Sequence, residues 1–574
     1  MTQRHKFCEE LRERLLANCD RVLLRVAMAP RFEQPFEFTG QIILDCAESF
    51  ATSVLSSLRP QKDCSVVLLL LPHCPELFLL QLGLVLKGHV PAILAWPTTR
   101  VDADKYQRNL IHQVSHLPAD ALVTLPRLAE NLTSSLPYEV TGLAVENNAG
   151  FEKMFPAEPI KERLESGDFP QGRVPLDADA LFLQFSGGTT GAQKAVVVTA
   201  EMLHNQFDQL GSELRITGED MVASWLPMYH DMGLIACYWL PLWFGAASLQ
   251  MAANDWVINP ELLFRYVTQF RATLCWLPNF AFSYLSQRRE FMQHRYEPGS
   301  VRAWINCSEP VRQKSIIEFV QTFADWGVRK ESMQACYAMA ETVFAITQSQ
   351  LGKELSALPR NQVRRGAQNY AGLAFDLIDD VYLSSGKPLP DTSIRIVSAD
   401  GSSCQDREAG EIYVKTPSLF SGYWGAEGFH QHTLKDGWHA TGDYGFMSEG
   451  ELFVIGRFKD IVIVGGNNIF PEDVEAVVNS IPGVYPGRVV GFGVEDQEYG
   501  TQSLGVVAEM KNSFEAGAAS ALEAAIRKLV LTTVGTAPRH VAVVPQRWIV
   551  KSTAGKISRR ETREKFLRER MAAT

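Results

Sequence analysis

Short apolar runs alternate with longer amphipathic ones through most of this chain, and that rhythm limits the fold more than any other feature. Val66–Leu71 and Val90–Ala95 read as buried strands, and Pro75–Leu86 between them reads as a helix. The pattern recurs at Ala121–Thr124, Leu181–Phe185, Ala195–Thr199, Met221–Leu226, Ala246–Met251, Thr273–Leu277 and Val301–Ile305. Strands that alternate with helical segments predict a layered α/β architecture with largely parallel sheets. The most apolar stretch, Ser65–Trp96, is broken by Pro72, Pro75, Glu76 and Lys87. It falls short of the ~20 apolar residues of a membrane span and reads as strand, helix, strand.

After Leu383 glycine and proline become frequent, and strands such as Ser393–Val397 and Gly410–Lys415 are short and alternating. This predicts a small, mainly antiparallel β section. A last unit begins near Lys459, with a strand at Ile461–Val464, a helix at Pro471–Ser480, strands at Arg488–Gly493 and Gly505–Glu509, and a helix at Ala519–Val530. The expected organisation is an α/β chain with a large N-terminal domain over 1–458 and a small α/β C-terminal cap over 459–574.

Hydrophobic residues make up 46% of the 574 positions and charged residues 21%, which is too apolar for a disordered chain. The formal net charge of −10 argues against a general nucleic-acid binder. No two of the ten cysteines form a CxxC pair, so they read as reduced, buried thiols. The N-terminal twenty residues are charged throughout and lack the apolar core of a signal peptide, so a cytoplasmic location is expected.

The strongest local signal runs from Leu181 to Thr199: an apolar strand, then Ser186-Gly187-Gly188-Thr189-Thr190-Gly191, then Lys194 and a second apolar strand. Glycines let backbone N–H groups approach an anion, and hydroxyls and a lysine add donors and charge. The string is not a Walker A loop, because Lys194 is followed by Ala195 and a strand rather than Ser or Thr and a helix. Taken alone, it is either a phosphate cradle or a glycine-rich hairpin without a ligand.

Further strings follow in order: Trp225-Leu226-Pro227-Met228-Tyr229-His230-Asp231-Met232-Gly233, Asn306-Cys307-Ser308-Glu309-Pro310, Tyr337-Ala338-Met339-Ala340-Glu341-Thr342, Thr441-Gly442-Asp443, Gly456-Arg457-Phe458-Lys459-Asp460, and Lys551-Ser552-Thr553-Ala554-Gly555-Lys556-Ile557. With the Ser186 loop, this succession resembles that of the adenylate-forming enzymes: acyl-CoA synthetases, fatty acyl-AMP ligases, nonribosomal adenylation domains and luciferases. It departs from the usual pattern at Ala195, where Gly is common after the lysine, and at Ala338, also usually Gly.

The resemblance implies a two-step reaction in which a carboxylic acid and ATP give acyl-AMP and pyrophosphate, and a thiol then displaces AMP. It places Ser186, Thr189, Thr190 and Lys194 on the β/γ-phosphates, Glu341 on Mg2+ and Thr342 at the α-phosphate. Tyr337 would stack on adenine, with Ser308, Glu309 and Pro310 on the opposite side, and Asp443 and Arg457 would bind the ribose hydroxyls. Lys556 would bridge the carboxylate and the ribose-phosphate. His230 would gate the acyl tunnel, and the cap would rotate about Lys459 between half-reactions. Read without the motif order, Asp443 and Arg457 are equally a surface ion pair and Lys556 one of many tail lysines.

Met232, Ile235, Trp276, Phe280, Cys307 and Met339 form the candidate acyl pocket, and their apolar character favours a fatty or arylalkyl acid over an amino acid. Ordinary core packing is the other reading of these positions. The Tyr-His-Asp-Met-Gly string, Pro278-Asn279-Phe280-Ala281, and the long interval from Tyr337 to Thr441 resemble fatty acyl-AMP ligases more than CoA synthetases. That interval contains Gln350–Leu383, where the resemblance places an insertion that limits cap movement. An acyl carrier protein is the implied acceptor, and free CoA is the alternative. A noncatalytic adenylate-binding relative is a third reading. From Lys551 to Arg570 eight Lys/Arg stand against three Glu, either a solvated helix with i,i+4 pairs or a docking face for an acidic carrier protein.

Overall fold

Two fully buried helical segments organise the larger part of the chain. Pro75–Leu86 is buried at every position, and so is the π-helix Met232–Trp239. The Tyr238 hydroxyl donates to Phe78 O at 2.8 Å and joins the two. A helix with no polar face must be covered on all sides, and helix Gly40–Ser57 together with two large sheets supplies the cover through one continuous apolar core. The computed structural model describes residues 2–58, 63–96, 106, 110, 113–114, 117–126, 128–129, 139–142, 176–186, 194–364, 381–425, 428–430, 436–464, 467–496, 501–551 and 557–571.

The first sheet has eight strands, ordered Gly428–His430, Tyr423–Gly425, Ala195–Thr199, Ala180–Phe185, Val90–Ile93, Val66–Leu70, Ala121–Thr124 and Glu139–Gly142. From Ala180–Phe185 to Glu139–Gly142 the pairings are parallel, whereas Ala180–Phe185 and Ala195–Thr199 are antiparallel. The second sheet has nine strands, ordered Lys387–Pro388, Ala345–Gln348, Met333–Ala338, Ala303–Asn306, Leu274–Leu277, Met221–Ser224, Ala247–Met251, Val22–Ala27 and Phe36–Thr39. Its central pairings are parallel. Strands covered on both faces need continuous apolar runs, which is why the rhythm in the sequence locates them within a residue or two. Val22–Ala27, with Arg25 in its middle, escapes that reading, as do Phe36–Thr39, Glu139–Gly142, Met333–Ala338 and Ala345–Gln348.

Ser393–Val397, Gly410–Lys415, His439–Ser448 and Glu451–Arg457 form an antiparallel four-stranded sheet, as the texture after Leu383 predicts. Towards the C-terminus, Val484–Asp496, Thr501–Met510 and His540–Val544 form a three-stranded sheet against helices Pro471–Asn479 and Ala516–Val534. Val484–Asp496, Thr501–Met510 and Ala516–Val534 are longer than the sequence suggests, Pro471–Asn479 ends one residue earlier, and His540–Val544 escapes the sequence reading. A backbone ladder continues past the last apolar side chain, and Val484–Asp496 carries a register shift between Val484 and Val489. Among the described residues no helix is long and apolar enough to cross a membrane. All ten cysteines are free thiols.

Candidate active site

The Thr441-Gly442-Asp443 string is a β-bulge. Glu411 pairs with Tyr444 and Tyr413 with Ala440, so Thr441, Gly442 and Asp443 stand opposite the single residue Ile412. Gly442 takes φ +73°, the left-handed region where a side chain is strained. Thr441 Oγ1 donates to Ile412 O at 2.8 Å and accepts from Asp443 N at 3.0 Å. A bulge re-aims the side chain that follows it, and here that side chain is Asp443. Its Oδ1 lies 2.8 Å from Arg457 Nε, its cross-strand partner, and its Oδ2 accepts from the Tyr337 hydroxyl at 2.6 Å. Three residues from three separate strings therefore meet at one carboxylate. Asp443 raises the Arg457 guanidinium above its ordinary value, and burial followed by Asp443 holds the Tyr337 phenol well above its own. Tyr337 is itself buried and packs with Ile346, Ile412 and Val414.

Beyond Tyr337 the chain makes an unusual turn. Phe344 N donates to Thr342 O at 2.7 Å across Val343, whose φ and ψ are 66° and −54°. That is a γ-turn of the rare, strained hand, built on a fully buried β-branched residue. Strain of this kind persists where the surroundings over-determine it, and it clusters at functional sites. It fixes Glu341 and Thr342. The Thr342 hydroxyl lies 3.1 Å from Met339 O and 3.0 Å from Phe344 O, so its proton serves the turn itself. Glu341 Oε1 accepts from the Tyr423 hydroxyl at 2.7 Å. Burial raises the Glu341 carboxyl above its usual range, Tyr423 opposes that, and the more distant Asp231 and Arg457 pull in opposite directions.

Ser186 and Lys194 close the end of the Ala180–Phe185/Ala195–Thr199 pair, with Ser186 N donating to Lys194 O at 2.9 Å. Ser186 is buried and Lys194 is exposed. The Lys194 Nζ lies 4.6 Å from the centroid of the Tyr423 ring, a cation–π contact. Thr189, Thr190 and Lys556 lie outside the described residues. An isolated bridge between Lys551 and Ile557 joins the residues on either side of the Lys556 segment.

On the other flank, Gly233 is the second residue of the π-helix, and a Cβ there would stand 2.3 Å from Pro227 O. Only glycine allows that approach. Pro241 has no N–H to offer Cys237 O, which accepts instead from Gln250 Nε2 at 2.5 Å. π-Helical turns recur at functional sites. His230 Nδ1 lies 2.5 Å from Asp231 Oδ1, and Asp231 also accepts from Met232 N at 2.8 Å. Met232, Ile235, Trp276 and Cys307 are buried in one apolar body, and Phe280 stands 38% exposed at the head of helix Asn279–Arg288. Met339 packs instead with the Tyr337 group. Ser308 adopts φ 72°, and its Oγ lies 3.9 Å from Met232 Sδ. The Glu309 carboxylate accepts from Phe280 N at 2.9 Å and so caps that helix, with half-buried Pro310 following on the same loop.

Lys459 lies in the 3-10 turn Phe458–Asp460, directly after Arg457. In the basic tail, Arg560 pairs with Glu564 at 2.8 Å, and Lys565 donates to Trp548 O while lying over its ring. Arg559 is drawn inward to Asp460, Glu472 and Glu475. These cations are engaged within the chain, as the solvated-helix reading anticipates only for Arg560. Tyr423 is the site residue that sequence reasoning missed. The available signal was Gly422-Tyr423-Trp424, bounded by small and polar residues.

The sequence profile of the AMP-binding enzymes matches residues 25–424. The chain is 28% identical over 414 residues to the medium-chain-fatty-acid–[acyl-carrier-protein] ligase JamA of Moorena producens, covering 68% of this chain and 69% of JamA. It is also 28% identical over 428 residues to a Mycobacterium tuberculosis protein provisionally named fatty-acid–CoA ligase FadD21, covering 70% and 72% of the two chains. Its fold superposes with a TM-score of 0.80 on a structure from a study of fatty acyl-adenylate ligases of E. coli and L. pneumophila, at 21% identity over 99% of this chain and 98% of the other. It superposes at 0.79 on McyG A-PCP complexed with phenylalanyl-adenylate, at 20% identity over 99% and 83%. The chain belongs to the AMP-binding enzyme family and is an adenylate-forming ligase.

Proposed function

We propose that the protein activates an apolar carboxylic acid, of the fatty or arylalkyl kind, and passes the acyl group to the phosphopantetheine thiol of an acyl carrier protein in the cytosol. The observation that carries the adenylation half is the gathering of Tyr337, Asp443 and Arg457 on one side and Glu341, Tyr423 and Lys194 on the other. Asp443 accepts from the ribose hydroxyls and Arg457 donates to them. Tyr337 and the Ser308–Pro310 loop bound the adenine, and Lys194 and Ser186 hold phosphate oxygens with Thr189 and Thr190.

Glu341 suits Mg2+: one carboxylate oxygen is held by Tyr423, and the other accepts no hydrogen bond from another described residue. Mg2+ is commonly held by one or two carboxylates together with substrate phosphates. Among the described residues no cluster of three or more His, Cys, Asp or Glu could hold a metal alone. When bound, Mg2+ would neutralise phosphate charge.

In the first step a substrate carboxylate oxygen attacks the α-phosphorus, the bond to the bridging oxygen breaks, and pyrophosphate leaves with the electron pair. Two anions approach, so donors preset around the phosphates and carboxylate lower the barrier. Lys194 and Lys556 supply them. In the second step the thiol sulfur attacks the acyl carbon, loses its proton, and AMP departs. Tyr337, Thr342 and His230 shape the site around these steps, with half-buried His230 two residues before Met232 of the apolar body that also holds Ile235, Trp276 and Cys307.

The carrier-protein acceptor is supported by the Tyr229–Gly233 string and by the segment from Gln350 to Leu383. In that segment Arg360 is tied to Asp473, beyond Lys459. Free CoA is the second reading, supported by the equal likeness to FadD21. ATP–pyrophosphate exchange against a panel of fatty, hydroxy, aryl and amino acids, with Lys556→Ala as control, tests the first half. Acid-dependent exchange lost in the variant is expected, and exchange unaffected by Lys556→Ala would sink the reading. Thioester formation on holo carrier protein or on CoA then decides the acceptor.

A further inference from the structure

We infer that Tyr423 is a positioning residue that keeps the Glu341 carboxylate and the Lys194 ammonium apart and aimed, ready for a divalent cation and a polyphosphate. The inference rests on the acyl-adenylate reading above. Tyr423 lies on strand Tyr423–Gly425, which pairs antiparallel with Ala195–Thr199 through Tyr423↔Val196 and Trp424↔Ala195. Its place relative to Lys194 is therefore set by the sheet. Its hydroxyl donates to Glu341 Oε1 at 2.7 Å, and its ring centroid lies 4.6 Å from Lys194 Nζ. A second tie, Phe420 N to Glu341 O at 2.8 Å, holds the segment against the γ-turn, and the Phe420 and Tyr423 rings meet at 4.8 Å.

An ammonium and a carboxylate on neighbouring elements would pair in an empty site. Among the described residues no ion pair joins Lys194 to Glu341. The phenol stands between them: its hydroxyl orients the carboxylate, and its π face holds the ammonium without neutralising it. When nucleotide and cation arrive, neither charged group must first break a strong ion pair, and the carboxylate is already oriented.

The test is the Mg2+ dependence of ATP binding, measured by titration calorimetry on full-length protein. Tyr423→Phe removes only the hydroxyl. A hydrogen bond to a charged group is worth enough that the free Mg2+ needed for half-maximal ATP affinity should rise about 10-fold. Affinity for ATP in EDTA and the melting temperature should stay near wild type. On a Glu341→Gln background the same substitution should give no further change in Mg2+ dependence. Tyr423→Ala, which lets Lys194 swing to Glu341, should weaken ATP in EDTA as well.

A Tyr423→Phe protein with wild-type Mg2+ dependence, or one whose Mg2+ dependence and EDTA affinity fall in equal proportion, overturns the inference while leaving the adenylation reading intact. A folded wild-type protein that binds no ATP overturns both.

Discussion

Arg360 Nη1 donates to Asp473 Oδ1 at 2.6 Å, and the two side chains are only 4% and 10% exposed. The pair ties the segment before strand Val381–Leu383 to helix Pro471–Asn479, and the guanidinium also lies 4.5 Å from the centroid of the Tyr382 ring. Phe470, next to that helix, packs at 5.5 Å from Tyr444 in the same apolar patch. Removing one member of a buried pair strands the other charge. Arg360→Ala should cost about 3–5 kcal/mol in urea unfolding, whereas the double change Arg360→Met, Asp473→Leu should cost much less. A single-variant loss below about 1 kcal/mol would show that the pair is solvated, like a surface bridge.

Lys459 follows Arg457 by two residues, so any rotation there moves everything C-terminal to the Asp443–Arg457 pair. Proline locks φ near −65°, and a hinge works by letting a few residues absorb a backbone change. Lys459→Pro should retain ATP–pyrophosphate exchange and lose thioester formation. Equal loss of both half-reactions would rule out Lys459 as the pivot.

Asp443→Asn keeps an acceptor for the Tyr337 hydroxyl but removes the charge facing Arg457. That ion pair adds little to stability, because the Arg457 side chain is 50% exposed. The unfolding free energy should therefore change by less than about 1 kcal/mol, while ATP affinity falls roughly 10-fold as a charged acceptor is lost from the ribose hydroxyls. Calorimetric titration with ATP checks the second, and a large stability loss with unchanged affinity would make Asp443 structural.

Much of the fold around this site is legible in the sequence. Strands buried on both faces announce themselves as apolar runs, as at Ala121–Thr124 and Ala195–Thr199, and the alternating, half-exposed Ser393–Val397 and Gly410–Lys415 coincide with the elements read from sequence too. What escaped is carried by pairing and register. Tyr423 reaches Glu341 across 82 positions, and Arg360 reaches Asp473 across 113. Nothing local to Tyr423 or Arg360 marks its partner. Asp443 was found as part of a string, but the reason for the glycine before it, a bulge opposite Ile412, needs the neighbouring strand. Val343 is a different case, because local preference argues against a β-branched residue at positive φ, so sequence reasoning points away from the turn that holds Glu341.

His73 gives the fold an acid limit. Its Nε2 lies 3.2 Å from Gln250 O and its ring sits edge-on to Phe78 at 5.2 Å. Burial lowers its pKa to about 4 from the ordinary 6.5. The folded state then binds fewer protons than the unfolded chain between those values, so stability falls as pH drops through that window. The loss approaches about 3 kcal/mol at its lower end. Urea midpoints at pH 7 and pH 5 should differ less in His73→Gln than in wild type, and an equal difference would place the titrating group elsewhere.

Val343 supplies the sharpest test of the γ-turn. At ordinary helix or strand positions Ala is more stable than Gly by about 0.5–1 kcal/mol, since glycine loses more backbone freedom on folding. At φ 66° and ψ −54° the order should reverse. Val343→Ala keeps the backbone strain and loses buried methyl groups. Val343→Gly loses the whole side chain but releases strain of about 1–3 kcal/mol. The glycine variant should therefore melt at or above the alanine variant, although it buries less apolar surface. Activity should run the other way. A glycine at this turn frees the backbone that fixes Glu341 and Thr342, so ATP–pyrophosphate exchange should fall further in Val343→Gly than in Val343→Ala. If alanine is the more stable replacement, the turn is not strained, and Glu341 owes its placement to Tyr423 and Phe420 alone.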